Sequence, residues 1–334
     1  MTQLNASGPI GPVDGTVVPR FAGAPTFARL PRIDEIHDYD VAVLGAPFDG
    51  GTSYRPGARF GPLAVRTASR HLRPAYHPDL DVAPFRTLQV ADAGDVAANP
   101  FSITEAVDQI GRHASTLVSP GRRLVTIGGD HTVALPLIEA AHAVHGPVAL
   151  VHFDAHLDTW GTYFGAPVTH GTVFRRAFER GLLVEDHSVH VGIRGPLYDA
   201  GDVERDAGFG FEIVRARQLD RLGCDAVAER IRARVGDCPV YLSVDIDVLD
   251  PAFAPGTGTP EVGGFTSREL LELLRLLDGL PLVGADVVEV SPAYDHAEVT
   301  ALAAATVVYE IVSLMARTAA GDRPRLNGAA TSAG

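Results

Sequence analysis

Short β-branched and aliphatic runs recur along this chain, separated by longer stretches whose apolar residues fall three and four positions apart. The runs Tyr39–Leu44, Leu124–Ile127, Val148–Phe153, Ser188–Ile193, Val240–Val244 and Leu282–Val290 read as strands. Together with the helices between them, they suggest strands covered on both faces. Helices are predicted over Pro62–Leu72, Thr104–Leu117, Val133–Val144, Gly171–Gly181, Asp225–Val235, Ser267–Leu277 and Ala297–Ala316. Leu270, Leu271, Leu274 and Leu277 form the stripe of a helix with one buried face. Strand and helix in alternation predict an α/β fold, three layers α/β/α around a central, mostly parallel sheet. No repeat or mid-chain linker interrupts it, so residues 36–320 are taken as a single domain. Residues 1–35, rich in Gly, Pro and Ala, are expected to form an arm suited to packing on a neighbouring subunit. Residues 321–334 are small and polar and are expected to fray.

Candidate chemistry sits just after three of these strands. His131 follows Leu124–Ile127 through Gly128-Gly129-Asp130; Asp154, His156 and Asp158 follow Val148–Phe153; Asp245 and Asp247 end Val240–Val244. In open parallel sheets ligands bind beyond the carboxyl ends of strands, so all three clusters belong to one sheet edge. Spacing of two places alternate side chains on the same side of an extended backbone. A lone Asp at a strand end is usually a cap; five ligand-type residues with this spacing at two strand ends are not. Two imidazoles and four carboxylates suffice for two divalent metals, and four negative charges balance two such ions. The carboxylate-rich set suits Mn²⁺ or a similar ion better than structural Zn²⁺, with Ni²⁺, Co²⁺ and Fe²⁺ still open. Asp130 is read as orienting His131. His152, His190 and His296 are read as structural, Asp250-Pro251 as shaping a loop, and Gly256–Pro260 as a pocket wall.

Composition narrows the classes. The net charge is −13, which argues against nucleic acid as a partner. All 28 basic residues are Arg, so a Walker-A lysine, a Schiff-base lysine and a pyridoxal-phosphate enzyme are excluded. No G-x-G-x-x-G follows the first strand. Two cysteines, Cys224 and Cys238, are no disulfide framework, and no run approaches the length of a membrane span. A cytoplasmic protein without signal peptide or membrane partner is the expectation.

The clusters Gly-Gly-Asp-His at 128–131, Asp-Ala-His-Leu-Asp at 154–158 and Ser-Val-Asp-Ile-Asp-Val-Leu-Asp-Pro from Ser243 to Pro251 resemble signatures of the ureohydrolase (arginase/agmatinase) family. The resemblance runs from about Tyr39 to Met315. Gly45–Asp49, Thr52–Pro62 and Val288–His296 are closer to the agmatinase branch than to arginase proper. It implies an arginase-like fold, two Mn²⁺ ions and a homo-oligomer, trimer or hexamer. One ion would be held by His131, Asp154, Asp158 and Asp247 or its neighbour Asp245. The second would be joined by His156, with Asp154, Asp245 and Asp247 shared in part. The resemblance further implies a bridging hydroxide oriented by Asp158, a proton-shuttle His170 and a Glu289 that holds the guanidinium. The chemistry is consistent: a resonance-stabilised guanidinium resists water, two metals activate water against it, and the departing amine needs an acid near neutral pKa.

Substrate choice rests on the segment after Asp158. Arginase has an asparagine for its substrate's carboxylate where this chain has Trp160, which offers one donor and a large apolar body. Trp160–Val168 also carries Tyr163, Phe164 and Pro167, an apolar sleeve for an alkyl chain. A small cationic guanidino compound is therefore expected: agmatine, cleaved to putrescine and urea in polyamine synthesis. Guanidinobutyrate or a related guanidino acid, paired with Arg55, is the near alternative. So is an antibiotic-pathway amidinohydrolase sharing the Tyr54-Arg55-Pro56 loop. Glu261 faces either solvent or a cationic tail. Two other classes compete: a single-zinc deacetylase, disfavoured by the full ligand set, and a non-catalytic metal-binding homologue, which ligand loss would mark.

Overall fold

Six predicted strands form, and two more extend the sheet at its ends. The computed structural model describes residues 8–322. Its strands are β1 (Val41–Ala46), β2 (Val90–Asp95), β3 (Arg123–Gly128), β4 (Ala149–Phe153), β5 (Ser188–Ile193), β6 (Phe211–Arg215), β7 (Val240–Asp245) and β8 (Leu282–Val288). They make one sheet in the order β2-β1-β3-β8-β7-β4-β5-β6, with every pairing parallel. The helices are α1 (Gly61–Ser69), α2 (Pro84–Thr87), α3 (Ile103–Leu117), α4 (Ala134–His145), α5 (Val173–Glu179), α6 (Asp202–Gly208), α7 (Ala216–Val235), α8 (Ser267–Leu276) and α9 (Val299–Asp322). Alternate strand residues feed two cores. Val41, Val43, Val151 and Val244 pack towards α1, α7, α8 and α9, whereas Leu44, Leu124 and Leu150 pack towards α3, α4 and α5. The expected three layers are present.

The first and last strands in the sheet order, β2 and β6, were not expected. Their sequences, Val-Ala-Asp-Ala-Gly-Asp and Phe-Glu-Ile-Val-Arg, are partly exposed and lack a continuous apolar run. That is the composition of an edge. Helix α7 begins well before Asp225 because it is continued across a bend at Gly223, whose φ of 80° suits glycine.

Helix α9 is apolar enough over Val299–Gly321 to cross a membrane by length and composition, yet 78% of that window is buried inside the fold. It also carries Glu310, buried between His77 (2.8 Å) and Arg275 (2.7 Å). Its apolar surface is spent on the core. In the N-terminal segment, Phe27, Ala28 and Leu30 join the core of their own chain. The expected frayed tail lies outside the described residues except for Gly321 and Asp322, which end α9.

Candidate metal centre and active site

Four neighbouring central strands, β3, β8, β7 and β4, deliver the expected residues at their carboxyl ends. His131 opens a short 3-10 turn after β3, and Glu289 follows β8. Asp245 ends β7 with Asp247 in the next turn, and Asp154, His156 and Asp158 follow β4. All six expected ligands come together. His131 Nδ1 lies 3.0 Å from Asp158 Oδ2, 3.3 Å from Asp154 Oδ2 and 3.3 Å from Asp245 Oδ2. His156 Nδ1 lies 3.2 Å from Asp154 Oδ1 and 3.1 Å from Asp247 Oδ2. Asp154 thus joins two groups, and Asp245, not Asp247, completes the one around His131.

These groups fit divalent metal. Ser243 Oγ donates to Asp286 Oδ1 (2.6 Å) and so is free to accept from His131 Nε2–H (2.9 Å). That assignment leaves Nδ1 as a bare lone pair. It is fully buried, makes no hydrogen bond, and faces three carboxylate oxygens. Acceptors crowded this way need a cation among them. Without one, the site must take up protons. Burial, reinforced by the charge of Asp154, raises Asp247 to about 6 and Asp158 above its ordinary range. Burial opposes charge on His131 and His156, but the surrounding carboxylates outweigh it and raise both well above normal. His131, Asp154, Asp158 and Asp245 could hold one ion, and His156, Asp154 and Asp247 a second.

A second polar row supports the ligands from one step deeper in the sheet. Thr126, Asp286, Ser243, His152 and His190 stand side by side on β3, β8, β7, β4 and β5, all buried. Tyr241 and Ser243 both donate to Asp286, fixing the group that aims His131. His152 donates through Nε2 to Asp154 (2.8 Å) and meets His190 Nδ1 at 2.6 Å. Burial depresses His152 to about 3, so the imidazole is neutral. His190 Nε2 faces Asp206 Oδ2 at 3.5 Å, and Asp206 Oδ1 accepts from Thr159 (2.6 Å). His152 and His190 therefore back a ligand rather than merely filling the core. His296 is exposed. Asp130 does not touch the His131 ring. It caps the 3-10 turn through Thr132 N (3.0 Å) and holds Gly51 N (2.6 Å). Ser243 orients His131 instead; nothing in a lone serine two residues before an Asp signals that.

A cavity of about 670 Å³ opens over the cluster, with His156, Asp158, His170 and Asp245 in its wall. Trp160, Tyr163 and Phe164 of the expected sleeve line it, Pro167 does not, and Tyr198 adds a fourth ring that the sequence reading missed. Trp160 stacks edge-on with Tyr163 and Tyr198 (5.9 and 5.6 Å) and donates through Nε1 to Asp202 (3.3 Å). Arg55 and Glu261 both line the cavity, as do Thr259 and Pro260 of the expected wall. Asp250 shapes the adjoining loop by accepting from Ala252, Gly263 and Gly264. His170 Nδ1 lies 3.3 Å from Glu289 Oε1, and its Nε2 is 2.8 Å from Ser53 Oγ. Burial opposes its charge, but Glu289, Asp158 and Asp130 outweigh that and raise it to about 9. Glu289 is 1% exposed and is not part of the cavity wall; its Oε1 also accepts from His131 N (2.9 Å). Asp158 and Glu289 both sit at positive φ, 55° and 65°, backbone strain of the kind kept at functional sites.

An all-parallel sheet with a buried imidazole–carboxylate cluster at its carboxyl edge defines a metal-binding α/β hydrolase of arginase type. The Arginase family model matches residues 39–313, and the chain belongs to that family; it is a ureohydrolase. It is 44% identical over 310 residues to guanidinopropionase of Pseudomonas aeruginosa, spanning 92% of this chain and 97% of the relative. It is 44% identical over 296 residues to agmatinase of Salmonella paratyphi B, spanning 87% and 92%. The solved structure of proclavaminate amidinohydrolase from Streptomyces clavuligerus superposes with a TM-score of 0.85 at 43% identity, covering 90% of this chain and 100% of that one.

Proposed function

We propose that this ureohydrolase cleaves the guanidino group of agmatine, releasing putrescine and urea, with two Mn²⁺ ions held by His131, Asp154, His156, Asp158, Asp245 and Asp247. The observation that carries the reading is the aromatic cavity, whose wall combines Trp160, Tyr163 and Tyr198 with Asp158, His170 and Glu261. A decarboxylated alkyl chain fits apolar rings, and its terminal ammonium finds a carboxylate. Bound divalent metals would supply Lewis acidity and lower the pKa of the attacking water. The chain's own groups do the rest. Asp158, whose pKa is raised, can accept a proton beside the cluster. His170 carries a proton next to the cavity and can donate it to the departing amine. Glu289, behind the cavity wall, orients His170 through Oε1.

A guanidino acid is the second reading, and Arg55 favours it. This guanidinium lines the cavity, lies over the Tyr294 ring (5.0 Å) and forms no ion pair among the described residues. Urea release from Mn²⁺-loaded protein, run in parallel with agmatine, guanidinobutyrate, arginine and free guanidine, tests both. Agmatine is expected to give the highest kcat/KM. A preference for guanidinobutyrate moves the assignment to Arg55 and guanidino acids, and no urea from any compound overturns both.

A further inference from the structure

A second cavity, of about 740 Å³, shares no lining residue with the one over the metal cluster. It lies where the N-terminal segment crosses the carboxyl end of α1 and the start of α2. Five arginines line it: Arg20, Arg29, Arg70, Arg73 and Arg86. For an acidic protein this is an unusual concentration of positive charge. None of the five forms an ion pair among the described residues. The lining carboxylate, Asp14, is exposed, accepts from Thr16 and lies within electrostatic reach of Arg29 without pairing to it. Residues 1–7 and 323–334 contain neither Asp nor Glu.

The hydrogen bonds these arginines do make explain their position but not their charge. Arg20 donates to the carbonyl of His71, and Arg70 donates to the carbonyls of Phe21, Gly23 and Ala24. Both staple the N-terminal segment to the body through neutral acceptors. Arg29 is 4% exposed and donates through Nη1 to the carbonyl of Val18 (3.0 Å). Its Nε and Nη2 are buried without a hydrogen-bond partner. A guanidinium withdrawn from water with two unpaired nitrogens is costly unless an anion compensates it. The exposed Arg73 and Arg86, at the same cavity, form no ion pair among the described residues and extend the positive field outward.

We propose that this cavity binds a small anionic molecule bearing a phosphate or carboxylate group, which the arginines hold by charge-assisted and forked hydrogen bonds. The site is separate from the ureohydrolase cavity and independent of which guanidino compound is cleaved there.

Calorimetric titration of the Mn²⁺-loaded protein with inorganic phosphate and, separately, with succinate tests this at constant ionic strength set with chloride. One saturable site per chain is expected for at least one of them, and the better of the two distinguishes phosphoryl from carboxylate ligands. In Arg73→Ala/Arg86→Ala, whose substituted residues are exposed, binding should weaken by roughly tenfold or more. Arg29→Met should weaken it as well. Urea release by the double variant without added anion should be unchanged. No saturable binding of either anion, or equal binding by wild type and double variant, overturns the proposal. So does a double variant that alters the oligomeric mass in light scattering and binds no less anion, which would make the cavity a subunit contact.

Discussion

At the residue scale, His131 and His170 show how two imidazoles in one site are given opposite tasks. His131 has its Nε2 proton committed to Ser243, so its lone pair points among carboxylates. His170 is buried, which opposes its charge, but Glu289, Asp158 and Asp130 outweigh that and favour the protonated form. The first is built to accept a metal and the second to give a proton. Replacing His170 by Ala should leave both metals bound and lower kcat by about 10²–10⁴, the usual worth of acid–base catalysis. With a folded pKa raised to about 9, His170 holds its proton through neutral pH and loses it as pH rises through 9. Any alkaline fall in kcat that wild type shows in that range should vanish in the Ala variant. Loss of metal from that variant, read by elemental analysis, would make His170 structural instead.

At the element scale, α6 joins the sleeve to the metal cluster. Its seven residues carry two buried carboxylates. Asp202 holds the Trp160 indole, and Asp206 holds Thr159 while facing His190, which leads through His152 to Asp154. Asp206→Ala removes both of its contacts at once. Such outer partners of metal ligands are typically worth about 10–100-fold in metal affinity. That loss should appear on dialysis against chelator, together with a raised KM as the released Thr159 loosens the start of the sleeve next to it. Wild-type metal retention in the variant would show that α6 merely packs.

The same contrast explains what was legible in the sequence. The six central strands announce themselves because burial on both faces demands mostly apolar runs, and the ligands stand out because they cluster at the ends of those runs. Strands β2 and β6 escape notice because an edge tolerates Asp, Glu and Arg. Helix α6, with Asp202, Glu204, Arg205 and Asp206 in seven residues, looks like a solvated loop. Ser243, Asp286 and His190 sit on three strands, and only the sheet register makes them one row. Tyr198 reaches the cavity from the loop after β5, and no local pattern links it to Trp160.

At the scale of the whole molecule, the sheet spends its central carboxyl edge on groups that repel one another. The Asp247 carboxyl, raised from 3.8 to about 6, favours the metal-free fold fully below about pH 4 and loses that contribution as pH rises through 6. Asp130, raised from 3.8 to about 7 by burial and the charge of Glu289, loses its contribution the same way through 7. Metal must displace the protons of its ligands, so affinity should climb with pH over this window. The most direct test of a two-metal ureohydrolase is a titration of metal-free protein with Mn²⁺ at pH 6 and pH 8. Bound metal and urea release from the preferred guanidino substrate are followed together. The structure predicts urea release that saturates at two ions per chain, with half-saturation at lower Mn²⁺ at pH 8 than at pH 6. Full activity in chelator, or saturation at one ion per chain, would contradict it.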